Sequence, residues 1–148
     1  MNITYEVNEP HLRRFAEQVG EFVQASPDSI TCWDVWFLGP QGRVVFAFDD
    51  PGLVYEGSMT YLACHLAQWL RSRPTDYEID SESVYQAIRL RILDRGALTG
   101  VVATDYRGTR PFDVETTAWV DAVRDFLERV ATELGQVVPS MSRIAGLV

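Results

Sequence analysis

The chain has 148 residues, of which 47% are hydrophobic and 23% charged, a balance typical of one globular domain rather than of a disordered chain. Acidic residues outnumber basic residues by 21 to 13, every basic residue is an arginine, and the formal net charge is −8. This charge disfavours direct binding of nucleic acid, because phosphates are repelled. It serves solubility, or it attracts and orients a basic partner.

No targeting or membrane-spanning segment is predicted. The first fourteen residues, MNITYEVNEPHLRR, lack the basic start and apolar core of a signal peptide. No stretch approaches the ~18–20 consecutive apolar residues that cross a bilayer. The two cysteines, Cys32 and Cys64, form no CxxC pair and have no zinc-type spacing, which favours two buried thiols in a reducing compartment. We therefore expect a cytoplasmic protein.

A short strand at 3–7 and an amphipathic helix come first in the chain. Asn8 is the predicted N-cap of this helix, and Pro10 falls in its first turn, where the missing N–H costs nothing. Pro27 ends the helix. Apolar residues at spacings of three and four predict its buried stripe: Leu12, Phe15, Ala16, Val19, Phe22 and Val23.

Residues 31–50, TCWDVWFLGPQGRVVFAFDD, indicate a strand hairpin around Gly39-Pro40-Gln41-Gly42. Both faces of its arms carry apolar side chains, where a half-buried strand would alternate. Helices of the same chain could cover the second face. Otherwise Trp33, Val35, Phe37 and Val45 stay exposed enough to form a docking surface.

A brief strand at 53–56 leads into a second helix, with Ser58 as the predicted cap. This helix closes on Arg71-Ser72-Arg73-Pro74, which places arginines at the negative end of the helix dipole and a proline as a stop. Residues 76–83, DYEIDSES, carry four acids and no base, the pattern of a solvated loop or strand edge. The second helix has the predicted buried stripe Met59, Leu62, Ala63, Leu66, Trp69 and Leu70.

Residues 84–93 allow a strand or a helix start, and the strand is favoured because Asp94-Arg95-Gly96 is a turn signal and 98–106 reads as the return arm. Asp113 is the predicted cap of the longest helix, and Gly135 is its predicted C-terminal glycine. This last helix has the predicted stripe Trp119, Val123, Phe126, Leu127, Val130 and Leu134.

The element order β-α-β-β-(β)-α-β-β-α predicts an α+β fold with one antiparallel sheet of about five or six strands and three amphipathic helices. A single domain is expected over 1–148. Its apolar tail, 136–148, is loose, packed back on the body, or buried against a partner.

Catalytic motifs are absent from the sequence, and neither a cofactor nor a metal site is predicted. His65 follows Cys64, and adjacent positions of a helix do not face each other, so a catalytic pair is geometrically poor. On an extended segment the acids at 76–82 project to one side. They bind a basic partner or remain a solvated edge. The predicted partner-binding residues are Trp33, Asp34, Asp49, Asp50, Asp76, Glu78, Asp80 and Glu82.

The segment GLVYEGSMTYLACHLAQWL at 52–70 and the final helix VRDFLERVATEL at 123–134 resemble those of several families of small bacterial immunity proteins. In these families, which accompany polymorphic, contact-dependent or wall-associated toxins, a strand hairpin leads into a helix ending in Trp-Leu, then further strands and a last helix. The resemblance covers about 30–134 in the order of elements. Its most specific part is Glu56 followed by Leu62, Leu66, Trp69 and Leu70, which is structural.

The resemblance implies a non-catalytic cytoplasmic inhibitor that binds a toxin and masks its active site. Many toxin domains are nucleases with basic clefts, for which an acidic binder mimics the substrate. The expected partner is thus a basic toxin or effector domain, with no nucleic acid and no membrane. A secretion chaperone or adaptor, a structural protein, and an enzyme with an acid-based site are the alternatives.

Overall fold

The computed structural model describes residues 1–14, 17, 41–48, 52–82, 87–105 and 108–136. The strands in these segments are β1 (Asn2–Val7), β2 (Gln41–Ala47), β3 (Leu53–Ser58), β4 (Asp76–Glu82), β5 (Ala87–Asp94), β6 (Leu98–Asp105) and β7 (Gly108–Glu115). The helices are α1, described over 9–14, α2 (Met59–Ser72) and α3 (Thr116–Arg129), and α3 continues into a π-helical turn at Val130–Leu134.

The predicted α+β class is confirmed, whereas one sheet of five or six strands is not. The described strands form two antiparallel sheets, β1-β2-β3 and β4-β5-β6-β7. Within each sheet the strands pair in chain order. Helix α2 lies between β3 and β4 in the chain, and these two strands do not pair in the described ladders. The division into two sheets therefore coincides with α2.

Two of the three helix starts predicted from capping residues are present. Asn8 accepts a hydrogen bond through Oδ1 from the backbone N–H of His11 at 3.1 Å, and Ser58 accepts one through Oγ from the N–H of Tyr61 at 3.2 Å. Helix α2 ends at Ser72, and Arg73 follows in the left-handed conformation with φ 47°. The N–H of Arg73 donates to a carbonyl one turn back, which closes the helix end.

The predicted strand over 84–93 and its return arm are present as β5 and β6. Their turn uses the predicted residues: the N–H of Arg95 donates to the carbonyl of Leu98 at 3.0 Å, and the N–H of Gly96 donates to Oδ1 of Asp94 at 3.0 Å. Gly96 has φ 88°, a conformation that side-chain-bearing residues rarely adopt.

The prediction that Asp113 caps the last helix is wrong. Asp113 lies within β7, and α3 begins at Thr116, where Glu115 occupies the cap position without a side-chain cap bond. A proline at 111 argues against a central strand, but β7 is the edge of its sheet, where proline is tolerated. Gly135 does follow the last helical turn, in a right-handed conformation with φ −64° rather than the left-handed one of a glycine cap.

One hydrophobic core joins both sheets and both long helices. Helix α2 contacts β2 and β4, α3 contacts β1, β6 and β7, and the helices contact each other. The predicted stripes of α2 and α3 are buried. At the centre, Trp119 packs against Phe46, Phe48 and Trp69 with ring centroids 5.9–6.1 Å apart. Both sheets thus present one face to the helices.

The described residues include no helix long and apolar enough to cross a membrane. Several predictions fall outside the described residues: the stripe of the first helix from Phe15 to Val23, the first arm of the hairpin at 31–38, and the tail beyond 136.

Candidate functional site

The outer face of the four-stranded sheet, opposite the core, carries most of the predicted site residues that the structure describes. In β5, Leu90 and Ile92 are buried, while Arg89 and Arg91 alternate with them and are exposed. In β4, Ile79 is buried and its neighbours project outward. We call the outward side chains of these two strands the charged face: Asp76, Glu78, Asp80, Arg89 and Arg91.

The acids of the charged face are paired with arginines across the ladder. Arg91 donates to both carboxylate oxygens of Asp76, at 2.8 and 2.5 Å. Arg89 lies between two acids, with Nε 2.7 Å from Oε1 of Glu78 and Nη2 3.5 Å from Oδ2 of Asp80. The register sets Glu78 opposite Arg91 and Asp80 opposite Arg89, so only the Arg89–Asp80 contact joins directly opposite residues. The two closer contacts, Arg91 with Asp76 and Arg89 with Glu78, are diagonal across the ladder.

Negative charge exceeds positive charge on this face, because three carboxylates share two guanidinium groups. The bidentate contact with Arg91 lowers the pKa of Asp76, and Asp76 raises the pKa of Arg91, so both stay ionised at neutral pH. All five side chains remain accessible, since between 47% and 58% of each is exposed. The charges are thus available to a second molecule.

A depression of about 670 Å³ lies on this face between the charged rows and the next two strands. It is lined by charged residues of β4 and β5 and by short side chains of β6 and β7: Asp76, Glu78, Arg89, Arg91, Val102, Thr104 and Thr109. The hydroxyls of Thr104 and Thr109 lie 3.2 Å apart. The depression forms because short side chains on β6 and β7 stand next to long arginines on β5.

Helix α2 is tied to β4 from the core side by a polar cluster. The hydroxyl of Tyr61 donates to the carbonyl of Asp80 at 2.6 Å, Nδ1 of His65 lies 2.8 Å from the hydroxyl of Tyr77, and that hydroxyl donates to Oε1 of Gln68 at 3.1 Å. These contacts hold β4 in place, so the charged face rests on a strand fixed by both its ladder and a helix.

The same cluster holds the histidine that a catalytic interpretation would need. Burial lowers the pKa of His65 to about 4, so its ring is neutral at pH 7, and burial raises the pKa of Tyr77 to about 12. Cys64 is 1% exposed, and burial raises the pKa of its thiol well above the ordinary value. A buried, protonated thiol is a poor nucleophile. Among the described residues, no group of three or more His, Cys, Asp or Glu side chains could hold a metal ion.

The structure thus brings together Asp76, Glu78 and Asp80, the exposed acids expected on one side of an extended segment. Glu82 belongs to the same strand, at its end. Trp33, Asp34, Asp49 and Asp50 lie outside the described residues.

Sequence reasoning missed Arg89 and Arg91 as members of the site. Their signal was present, because arginines alternate with Leu90 and Ile92 at the period of a strand. Residues 76–83 contain four acids and no base, and the arginines become neighbours of these acids only when β5 pairs with β4.

Comparison with known proteins identified no relative of this chain. No protein-family model, no curated protein and no solved structure matches this chain significantly.

Proposed function

We propose that this protein is a non-catalytic binding protein whose charged face meets a basic protein, and that it acts as a cytoplasmic immunity protein that masks a toxin domain. The exposed surplus of carboxylates on the rigid outer face of β4 and β5 carries the proposal. The toxin is inferred from the resemblance of 52–70 and 123–134 to immunity proteins. A folded, acidic face of this kind attracts a cationic surface and orients it before contact.

Support for binding without catalysis comes from the state of the reactive groups. His65 is neutral and hydrogen-bonded on the core side of β4, and Cys64 is buried in α2. At the surface, the contact with Arg91 lowers the pKa of Asp76, which suits this carboxylate to attraction rather than to proton transfer.

The test uses the product of an adjacent gene that encodes a toxin or effector domain, purified with the full chain. We expect a stoichiometric complex, inhibition of the toxin's activity, and an association rate that falls several-fold between about 50 and 300 mM salt as screening grows. The triple variant Asp76→Asn, Glu78→Gln, Asp80→Asn should associate more slowly, most of all at low salt.

A matched variant separates the face from the overall charge. Asp121→Asn, Asp125→Asn and Glu128→Gln remove the same three charges from the exposed side of α3. We expect this control to change the association rate much less than the triple variant on β4. If both variants slow association equally, the net charge of the protein rather than the position of the charged face sets the association rate. A complex indifferent to salt and to every one of these acids would refute the proposal.

A further inference from the structure

The charged face is ordered in rows of opposite sign, a feature that a net charge does not describe. Asp76, Glu78 and Asp80 form a negative row on β4, and Arg89 and Arg91 form a positive row on β5, one strand spacing of ~4.8 Å away. Beyond the arginines come the neutral side chains of Val102, Thr104 and Thr109 on β6 and β7, and the depression extends from these residues to the charged rows.

The positive row keeps unused capacity for a second molecule. Each guanidinium offers five donors, and the contacts within the face engage Nε and Nη2 of each arginine. Arg89 is 58% exposed and borders the open depression, which Asp76 and Glu78 also line. Because β6 lies on the side of β5 opposite β4, a carboxylate placed over Val102 and Thr104 approaches the arginines from the side away from the acid row.

We propose that the partner's contact surface carries the reverse order of charge: a row of Lys or Arg side chains over β4, and next to it a carboxylate that enters the depression and binds Arg89 and Arg91. This inference rests on the proposed function and specifies the partner of that same surface. A uniformly basic patch would place cations over the arginine row, and like charges held together at an interface oppose binding. The arginines thus select the register of docking, as well as partners that supply an acid at that place.

The direction in which the affinity changes when both arginines are removed distinguishes this docking from simple attraction. Arg89→Gln with Arg91→Gln removes two positive charges and takes the net charge from −8 to −8 − 2 = −10. A plain acidic attraction would then bind a basic partner more tightly. Ordered docking instead loses the two groups that hold the partner's carboxylate, and we expect the dissociation constant to rise about tenfold or more.

The control is Arg43→Gln with Arg124→Gln, two exposed arginines outside the charged face, which gives the same net charge of −10. Dissociation constants of the wild type and both variants are measured by calorimetry with the toxin domain, after circular dichroism has verified folding. We expect the control to bind as tightly as the wild type or more tightly, and the variant of the charged face to bind more weakly.

A second variant reverses the sign of two ion pairs, Asp76 with Arg91 and Glu78 with Arg89, through Asp76→Arg, Glu78→Arg, Arg89→Glu and Arg91→Asp, with no change in net charge. It loses the exposed Arg89–Asp80 pair, so circular dichroism must verify folding first. Ordered docking predicts loss of binding of about tenfold or more in this variant too. Tighter binding by the double glutamine variant, or wild-type affinity in the reversed variant, would overturn the inference and leave the proposed function standing. A wild-type chain that binds no basic partner would overturn both.

Discussion

Truncation of Trp119 tests the assignment of the core most directly, because this ring joins parts of the molecule that are distant in sequence. Trp119 is 1% exposed, and its ring packs against Phe46 of β2, against Phe48 just after β2, and against Trp69 of α2. Phe48 in turn stacks on Phe112 of β7, with ring centroids 4.6 Å apart. The substitution Trp119→Ala therefore removes the ring contacts of α3 with β2, Phe48 and α2 at once, and it takes away one of the two rings that flank Phe48.

The size of the effect follows from the area lost. A buried indole covers on the order of 200 Å², which at ~25 cal/mol per Å² gives about 5 kcal/mol. Compactness of the unfolded chain reduces this figure, so we expect a loss of about 3–5 kcal/mol in the free energy of unfolding. No hydrogen bond adds to the loss, since the indole N–H of Trp119 is buried without a partner among the described residues.

Urea unfolding followed by far-ultraviolet circular dichroism measures this loss, because tryptophan fluorescence would change with the substitution itself. Arg124→Ala, on the exposed side of the same helix, is the control and should stay within about 0.5 kcal/mol of the wild type. Trp119→Phe retains a ring and should fall between the two. A loss below about 1 kcal/mol for Trp119→Ala would show that this ring is not at the centre of the core.

Three further outcomes are expected. Burial holds the pKa of His65 near 4, below the ~6.5 of an unfolded histidine, so the unfolded chain binds more protons between these values and stability should fall as the pH drops from about 6.5 to 4. The fall in the free energy of unfolding is on the order of 2 kcal/mol for a half-buried ring. His65→Gln should remove this pH dependence without loss of partner binding. If the variant kept the pH dependence of the wild type, His65 would not be its source. Ser58→Ala should cost about 1 kcal/mol in chemical denaturation, because the Oγ cap of α2 is lost; an unchanged midpoint would argue against the cap. The hydroxyls of Thr99 and Thr116 lie 2.9 Å apart in the core, so Thr99→Val or Thr116→Val alone should each cost about 1–3 kcal/mol, and the double variant less than their sum; strict additivity would exclude this bond.

The elements that the sequence predicted well have strong local signals. Asn8 and Ser58 precede apolar residues at helical spacing, and each caps a helix through its own side chain, as expected. The buried stripe of α3 from Trp119 to Leu134 is likewise as predicted. These features depend on neighbours within four residues, which is the range over which a sequence pattern carries physical information.

The failures concern partners far away in the chain. No strand is predicted from the sequence between 98–106 and the last helix, because Asp113 is expected to cap that helix. In the structure Phe112 and Val114 of β7 pack against the core while Asp113 is exposed, and the edge position of β7 tolerates Pro111. Division into two sheets depends on which strands find each other across α2, and no local pattern encodes that choice.

The candidate site shows the same limit, with a consequence for its chemistry. The acids of β4 could be placed on one side of a strand from their spacing, but the arginines that pair with them belong to β5, which begins at Ala87. Once Arg89 stands between Glu78 and Asp80, the face has an order of charge as well as an excess of it. Exposed ion pairs of this kind contribute little to stability, so substitutions on the face should leave folding intact. The effect of these substitutions on partner binding then reports recognition alone. Weaker binding after removal of Arg89 and Arg91 indicates an ordered docking surface, whereas tighter binding indicates attraction by net negative charge.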